Sequence, residues 1–174
     1  MDDLLSQLEP MIPALRRYAR GLLHDAVAAD DLVQDCLERV VAHWNRRRSE
    51  DARAWVFTIL HNLAINRLRQ ISRRGRNVAI DDIGEDQLAH RATQEDDLAR
   101  AEIMSALRQL PEEQRSVLLL VSVEDLSYAQ VAEVLAIPIG TVMSRLSRGR
   151  ERLRQILENP VSDAKPGSHL RRVK

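Results

Sequence analysis

The chain has 174 residues, 44% of them apolar, 30% charged and 3% aromatic, and its 26 basic and 26 acidic side chains cancel to a formal net charge of zero. That length supports one ordinary domain or two small helical ones; no apolar run approaches the roughly 18 residues needed to cross a bilayer and no cationic-then-apolar leader is present, so a cytoplasmic location without membrane insertion is expected. A lone Cys36 excludes an internal disulfide, and no Cys/His cluster has metal-ligand spacing, so neither a metal nor another cofactor is expected.

Neutrality conceals segregation. Residues 52–80 carry six Arg and no acid, residues 81–113 carry ten acids against three Arg, and residues 138–157 carry five Arg against one Glu. Basic clusters are often only solvated helix faces, but two of them flanking an acidic block suggest two contacts with one polyanion. Between residues 22 and 74 there is neither Gly nor Pro, and no strand-like alternation persists, so the chain reads as all-α. The predicted helices run near 13–24, 28–45, 53–73, 96–109, 111–122, 127–135 and 139–157.

In the second of these, "DDLVQDCLERVVAHW" (30–44) places apolar residues at 32, 33, 36, 37, 40, 41 and 44, a continuous stripe that makes Cys36 a core residue. The opposite side presents Asp31, Gln34, Asp35 and Glu38, either a solvated face or a docking face for a basic protein surface. In the third, "ARAWVFTILHNLAINRLRQISRR" (52–74), Val56, Ile59, Leu60, Leu63 and Ile71 face inward, with Arg67 directed toward the apolar side. Trp55, Asn62, Asn66, Arg69 and Arg73 share an outer face. An aromatic ring, two amides and two cations in a row can stack and hydrogen-bond unpaired bases while neutralising phosphates; the alternative is that Trp55 folds back into the core.

The acidic stretch "NVAIDDIGEDQLAHRATQEDD" (77–97) has few large apolar residues and fits a flexible linker, dividing the chain into a unit over residues 1–76 and another over 98–158, with a disordered tail at 159–174. In the second unit Ser127 and Gln130 form a capping box, Leu126 and Val131 are placed as its hydrophobic staple, and "AIPIG" separates a short helix from the next, which Pro138 starts. A short helix, a tight turn and a second helix make a helix-turn-helix. On the second helix Val142, Leu146, Leu153, Ile156 and Leu157 occupy one arc, and Thr141, Ser144, Arg145, Arg148 and Arg152 the opposite one. Hydroxyls at a helix N-terminus and guanidiniums one and two turns on are the groups that reach phosphates and guanine edges from the major groove. Two residues run against an ideal motif: Ala136 stands where Gly is commoner, and Gly149 interrupts the helix, each costing about 1 kcal/mol.

"DDLVQDCLERV", "AWVFTILHNLAINRLR" and "LPEEQRSVLLLVSVEDLSYAQVAEVLAIPIGTVMSRLSRGRERLR", in this order, resemble the sigma factors of bacterial RNA polymerase, specifically the small extracytoplasmic-function (group 4) type. The resemblance spans residues 12–157. It implies a two-domain, all-helical initiation factor that binds core RNA polymerase and promoter DNA, with an anti-sigma factor as a further partner. Asp31, Gln34 and Asp35 would dock on the clamp helices of the largest polymerase subunit, and the second domain would meet the flap of the second-largest. Trp55, His61, Asn62 and the loop around Arg46, Arg47 and Arg48 would open the downstream promoter element and hold a flipped base, and Thr141, Ser144, Arg145 and Arg148 would read the upstream element as duplex. The acidic connector would thread the RNA-exit path. The sequence departs from the family pattern at Asn66, where an Asp is common, and in the short, arginine-rich loop between Trp44 and Trp55.

Three other functions compete. A stand-alone helix-turn-helix regulator would explain residues 98–157 but leaves "DLVQD" and the Trp55 face idle, and a sigma-mimic interaction module has no use for the arginines at 145 and 148. An enzyme is the weakest reading, because no carboxylate pair, nucleophile–base pair or phosphate-cradling Gly loop is apparent.

Overall fold

The computed structural model describes residues 2–46, 51–75 and 94–159. All regular structure among them is helical. The chain runs through α1 (Asp2–Leu8), a 3-10 turn (Glu9–Met11), α2 (Ile12–Leu23), α3 (Ala26–His43), a second 3-10 turn (Trp44–Arg46) and α4 (Ala52–Gly75), then α5 (Gln94–Arg108), α6 (Glu112–Ser122), α7 (Tyr128–Leu135) and α8 (Ile139–Glu158). Residues 160–174 of the expected tail, residues 77–93 of the expected connector and the loop residues Arg47 and Arg48 lie outside the described residues.

The helix ends follow local chemistry. The Asp25 carboxylate accepts from Ala28 N at 2.9 Å to cap α3, and Asp51 accepts from Ala54 N at 3.0 Å to cap α4. Ser127 and Gln130 form both bonds of the capping box on α7, at 2.8 and 3.2 Å, with Leu126 and Val131 buried beside it. After α7, Ala136 takes the left-handed conformation (φ 52°), and its N–H turns back to Glu133 O. The strain expected there is present.

Helices α2, α3 and α4 pack together around Leu15, Tyr18, Leu22, Val33, Cys36, Val40, Phe57 and Leu60, all almost fully buried. The thiol of Cys36 sits 3.8 Å from Val56 O, and burial pushes its pKa up to about 12, consistent with a core role. In the second bundle α6, α7 and α8 bury Val117, Leu120, Val131, Val134, Val142 and Leu146. Gly149 faces α6, and a Cβ on it would stand 3.4 Å from both Gln114 Cβ and Gln114 O, at the near limit of ordinary contact.

Several expectations need correction. Residues 2–8, for which no helix was predicted, form α1 and bury Leu4 and Leu8; Pro10 and Pro13 break the periodicity that would have extended the next helix toward them. Residues 94–97, assigned to the connector, are the first turn of α5. Val41 and Ile71, placed on apolar stripes, are 53% and 51% exposed, and Arg67 is exposed as well. Ile71 and Arg67 belong to the far part of α4, which continues beyond its last fully buried residue, Ala64.

The two bundles also share a seam that sequence patterning does not foreshadow. α2 packs on α6 and α4 on α7, joining both sets of buried residues into one core. Leu119 of α6 fills the space beside Gly21 of α2, where a Cβ would come within 2.8 Å of its Cδ1. Just past α6, Glu124 is buried, with its side chain wholly out of solvent; Arg17 of α2 donates to its carboxylate at 2.8 Å, and Arg53 of α4 donates to its backbone oxygen. Asp51 accepts from Gln130 at 2.6 Å across the same seam. Burial pushes the Glu124 carboxyl upward against the pull of Arg17.

Candidate nucleic-acid interface

Two faces stay outside this shared core. On the first bundle α3, the turn after it and α4 enclose a shallow pocket of about 360 Å³ lined by Arg39, His43, Arg46, Trp55, Ile59 and Asn62. Trp55 neither points into solvent nor disappears into the core. It is half-buried, edge-on to the buried Trp44 with ring centroids 6.1 Å apart and planes at 67°, so its orientation is set by a neighbouring ring. Asn62 is exposed at the pocket, and Asn66, Arg69 and Arg73 continue the exposed face along α4.

His61 sits differently from these. Its Nδ1 pairs with the hydroxyl of buried Tyr18 at 2.9 Å, it does not line the pocket, and burial lowers its pKa to about 4. The structure thus ties His61 to the core beneath the face and leaves Trp55 and Asn62 upon it. Arg39 and His43 were not anticipated at the pocket. They lie four residues apart, with the His43 ring bonded to Arg39 O at 2.9 Å, and with Arg46 they line one side of the pocket at a 3–4 residue spacing visible in the sequence.

The acidic face of α3 is present as expected: Asp31, Gln34, Asp35 and Glu38 are all exposed, Gln34 donates to Glu38 at 3.3 Å, and Val27 beside them is 73% exposed. It faces away from the apolar stripe of Leu32, Val33, Cys36 and Val40.

On the second bundle the arginine arc of α8 divides. Ser144, Arg148 and Arg152 are exposed, and neither arginine has an ion-pair partner among the described residues. Thr141 is half-buried. Arg145 is half-buried too, and its Nη2 meets Glu113 of α6 at 2.7 Å. Arg154, off this arc, is held by Glu151 and Glu158. Among the described residues no cluster of His, Cys, Asp or Glu could hold a metal ion, and no helix is long and apolar enough to cross a membrane.

Comparison with known proteins finds matches in both bundles. Residues 100–153 match the model for sigma-70 region 4, and residues 8–61 match that for the sigma2 domain of PhyR. The chain is 34% identical over 159 residues to an ECF RNA polymerase sigma factor, EcfG, of Rhodopseudomonas palustris, covering 90% of this chain and 86% of that protein. It is 37% identical over 148 residues to the ECF sigma factor SigL of Mycobacterium tuberculosis, covering 83% and 82%. Among solved structures it is similar to the sigma factor RpoE of Bartonella quintana, determined with the anti-sigma factor NepR, with a TM-score of 0.74, 30% identity and coverage of 91% and 99%.

Proposed function

Because this chain belongs to the extracytoplasmic-function sigma factors of bacterial RNA polymerase, which bind the core enzyme and direct it to promoter DNA, we propose how its surfaces divide that work. The unit over residues 1–76 docks and opens DNA, the unit that begins with α5 and runs to residue 158 reads duplex, and the residues between them join the two. Asp31, Gln34 and Asp35 meet the clamp helices of the polymerase, a role supported by their shared exposed face on a helix whose other side is core. The pocket of Trp55 and Asn62, with Asn66, Arg69 and Arg73 beyond it, receives the strand that separates at the downstream element. Thr141, Ser144, Arg145, Arg148 and Arg152 lie in the major groove of the upstream element.

No catalysis by this chain is required, and it acts as an initiation factor in the cytoplasm. A pocket that accepts a base only once it has left the stack shifts the equilibrium toward open DNA by the affinity it has for that form alone. Since the RpoE relative was solved with an anti-sigma factor, a partner of that class is assigned to this chain too, competing with polymerase.

The observation that carries this reading is Trp55, held half-exposed against Trp44 at the wall of a cationic pocket. Stacking of a base on an aromatic ring is worth about 1–3 kcal/mol, so Trp55→Ala in holoenzyme should reduce opening of a supercoiled promoter roughly 5- to 150-fold. A template with a pre-melted bubble should restore transcription to near wild type. Equal opening of the supercoiled template by variant and wild type would remove Trp55 from the site.

A further inference from the structure

The five candidate groups on α8 are not equivalent, and the difference lies on another helix. Arg145 is the one arginine of that arc with a carboxylate against it: Glu113, on the first turn of α6, meets its Nη2 at 2.7 Å, while Arg148 and Arg152 have no ion-pair partner among the described residues. The pair is partly solvated, with side-chain exposures of 27% for Arg145 and 57% for Glu113, so it contributes little to folding. Its effect is on what Arg145 can do. A guanidinium has five N–H donors, and a single carboxylate contact leaves donors free to reach O6 and N7 of one guanine. The contact also holds the side chain in one orientation before docking, reducing the ordering cost of binding. A phosphate approaching Arg145 would approach the Glu113 carboxylate as well and meet like-charge repulsion. A guanine edge, carrying only partial charges, meets far less.

We propose that Glu113 is a positioning and specificity-determining residue, which reserves Arg145 for a base edge and leaves Arg148 and Arg152 to the phosphates. This rests on the reading of α8 as the duplex-reading helix and adds to it a residue outside the helix-turn-helix.

The test uses holoenzyme and a library of promoters randomised in the upstream element, with affinity measured at several salt concentrations. Glu113→Gln, which keeps the size and removes the charge, should reduce the preference for the best base pair at one position about 3- to 10-fold. Binding to unrelated duplex should rise, with the salt slope steeper by about 1 as Arg145 gains a phosphate. Arg145→Ala should flatten the same position, and Glu113→Gln combined with Arg145→Ala should flatten it no further. Arg148→Ala should weaken all sequences alike and reduce the slope by about 1. If Glu113→Gln leaves both profile and slope unchanged, or lowers affinity equally on every sequence as a folding defect would, the role assigned to Glu113 is wrong. If Arg145→Ala itself leaves the profile unchanged, the duplex-reading assignment of Arg145 fails first.

Discussion

One glutamate on the first turn of α6 and another just past its last turn each meet an arginine at nearly the same distance, 2.7 Å for Glu113 with Arg145 and 2.8 Å for Glu124 with Arg17. At the seam the carboxylate is wholly out of solvent and joins two bundles; beside the recognition helix the carboxylate is exposed, its arginine is half-buried, and both belong to one bundle. Distance therefore says little about what an ion pair does. Burial decides. A dehydrated carboxylate depends on its counter-charge for stability, whereas a hydrated one is free to act on selectivity.

The strongest way to break this contrast is Arg17→Ala, which leaves Glu124 buried without its ion pair. Loss of a partner from a fully buried pair costs about 3–5 kcal/mol, and since Arg17 is itself half in water we expect about 2 kcal/mol, read by urea denaturation. Glu124→Gln should cost less, because an amide needs no counter-charge and Arg17 simply returns to solvent. A shift below about 0.5 kcal/mol for Arg17→Ala would mean that the seam stands open in solution.

A smaller effect separates the same two regions by pH. His24 ends α2 in the left-handed conformation, its ring nitrogens are buried without partners among the described residues, and burial together with Arg115 and Arg108 lowers its pKa to about 4 from the ordinary 6.5. The unfolded chain takes up this proton first as pH falls, so the stability His24 contributes is present above pH 6.5 and is lost between about 6.5 and 4. Glu124, shifted upward by burial, acts in the opposite sense, contributing stability that falls as pH rises above the ordinary glutamate range. Replacing His24 with Asn, which tolerates the left-handed backbone, should remove up to about one proton from the pH slope of unfolding in that window. An unchanged slope would show the ring to be solvated.

The smallest expected effect is at Arg154. It contacts both Glu151 and Glu158 at 2.7–2.9 Å, yet the cluster is fully on the surface of α8. Arg154→Ala should leave the melting temperature unchanged within error, and a clear fall would contradict the rule that burial sets the worth of these pairs.

Much of this was legible beforehand because helices announce themselves by period. The stripe of α3 apart from Val41, the capping box of α7 and the exposed Ser144, Arg148 and Arg152 of the α8 arc are local patterns, and these appear in place. The seam was not legible. Nothing in "VEDLS" distinguishes buried Glu124 from exposed Asp125 next to it, since the difference is made by Arg17, more than a hundred residues away. One signal was available and went unused: Val117, Leu118, Leu119 and Leu120 are consecutive, an apolar run too wide for one helix face, and all four are buried because α6 is covered both by its own bundle and by α2. The pocket was half legible. Trp55 and Asn62 followed from one wheel, whereas Arg39 and His43 come from a different helix, and such convergence is a property of packing.

The two indole rings at the pocket are all the tryptophan this chain possesses, and α5 to α8 contain none. Intrinsic fluorescence is therefore a reporter confined to one small region. A nucleobase sliding against Trp55 would quench it without any added label, so strand capture can be timed by stopped flow on the unmodified protein.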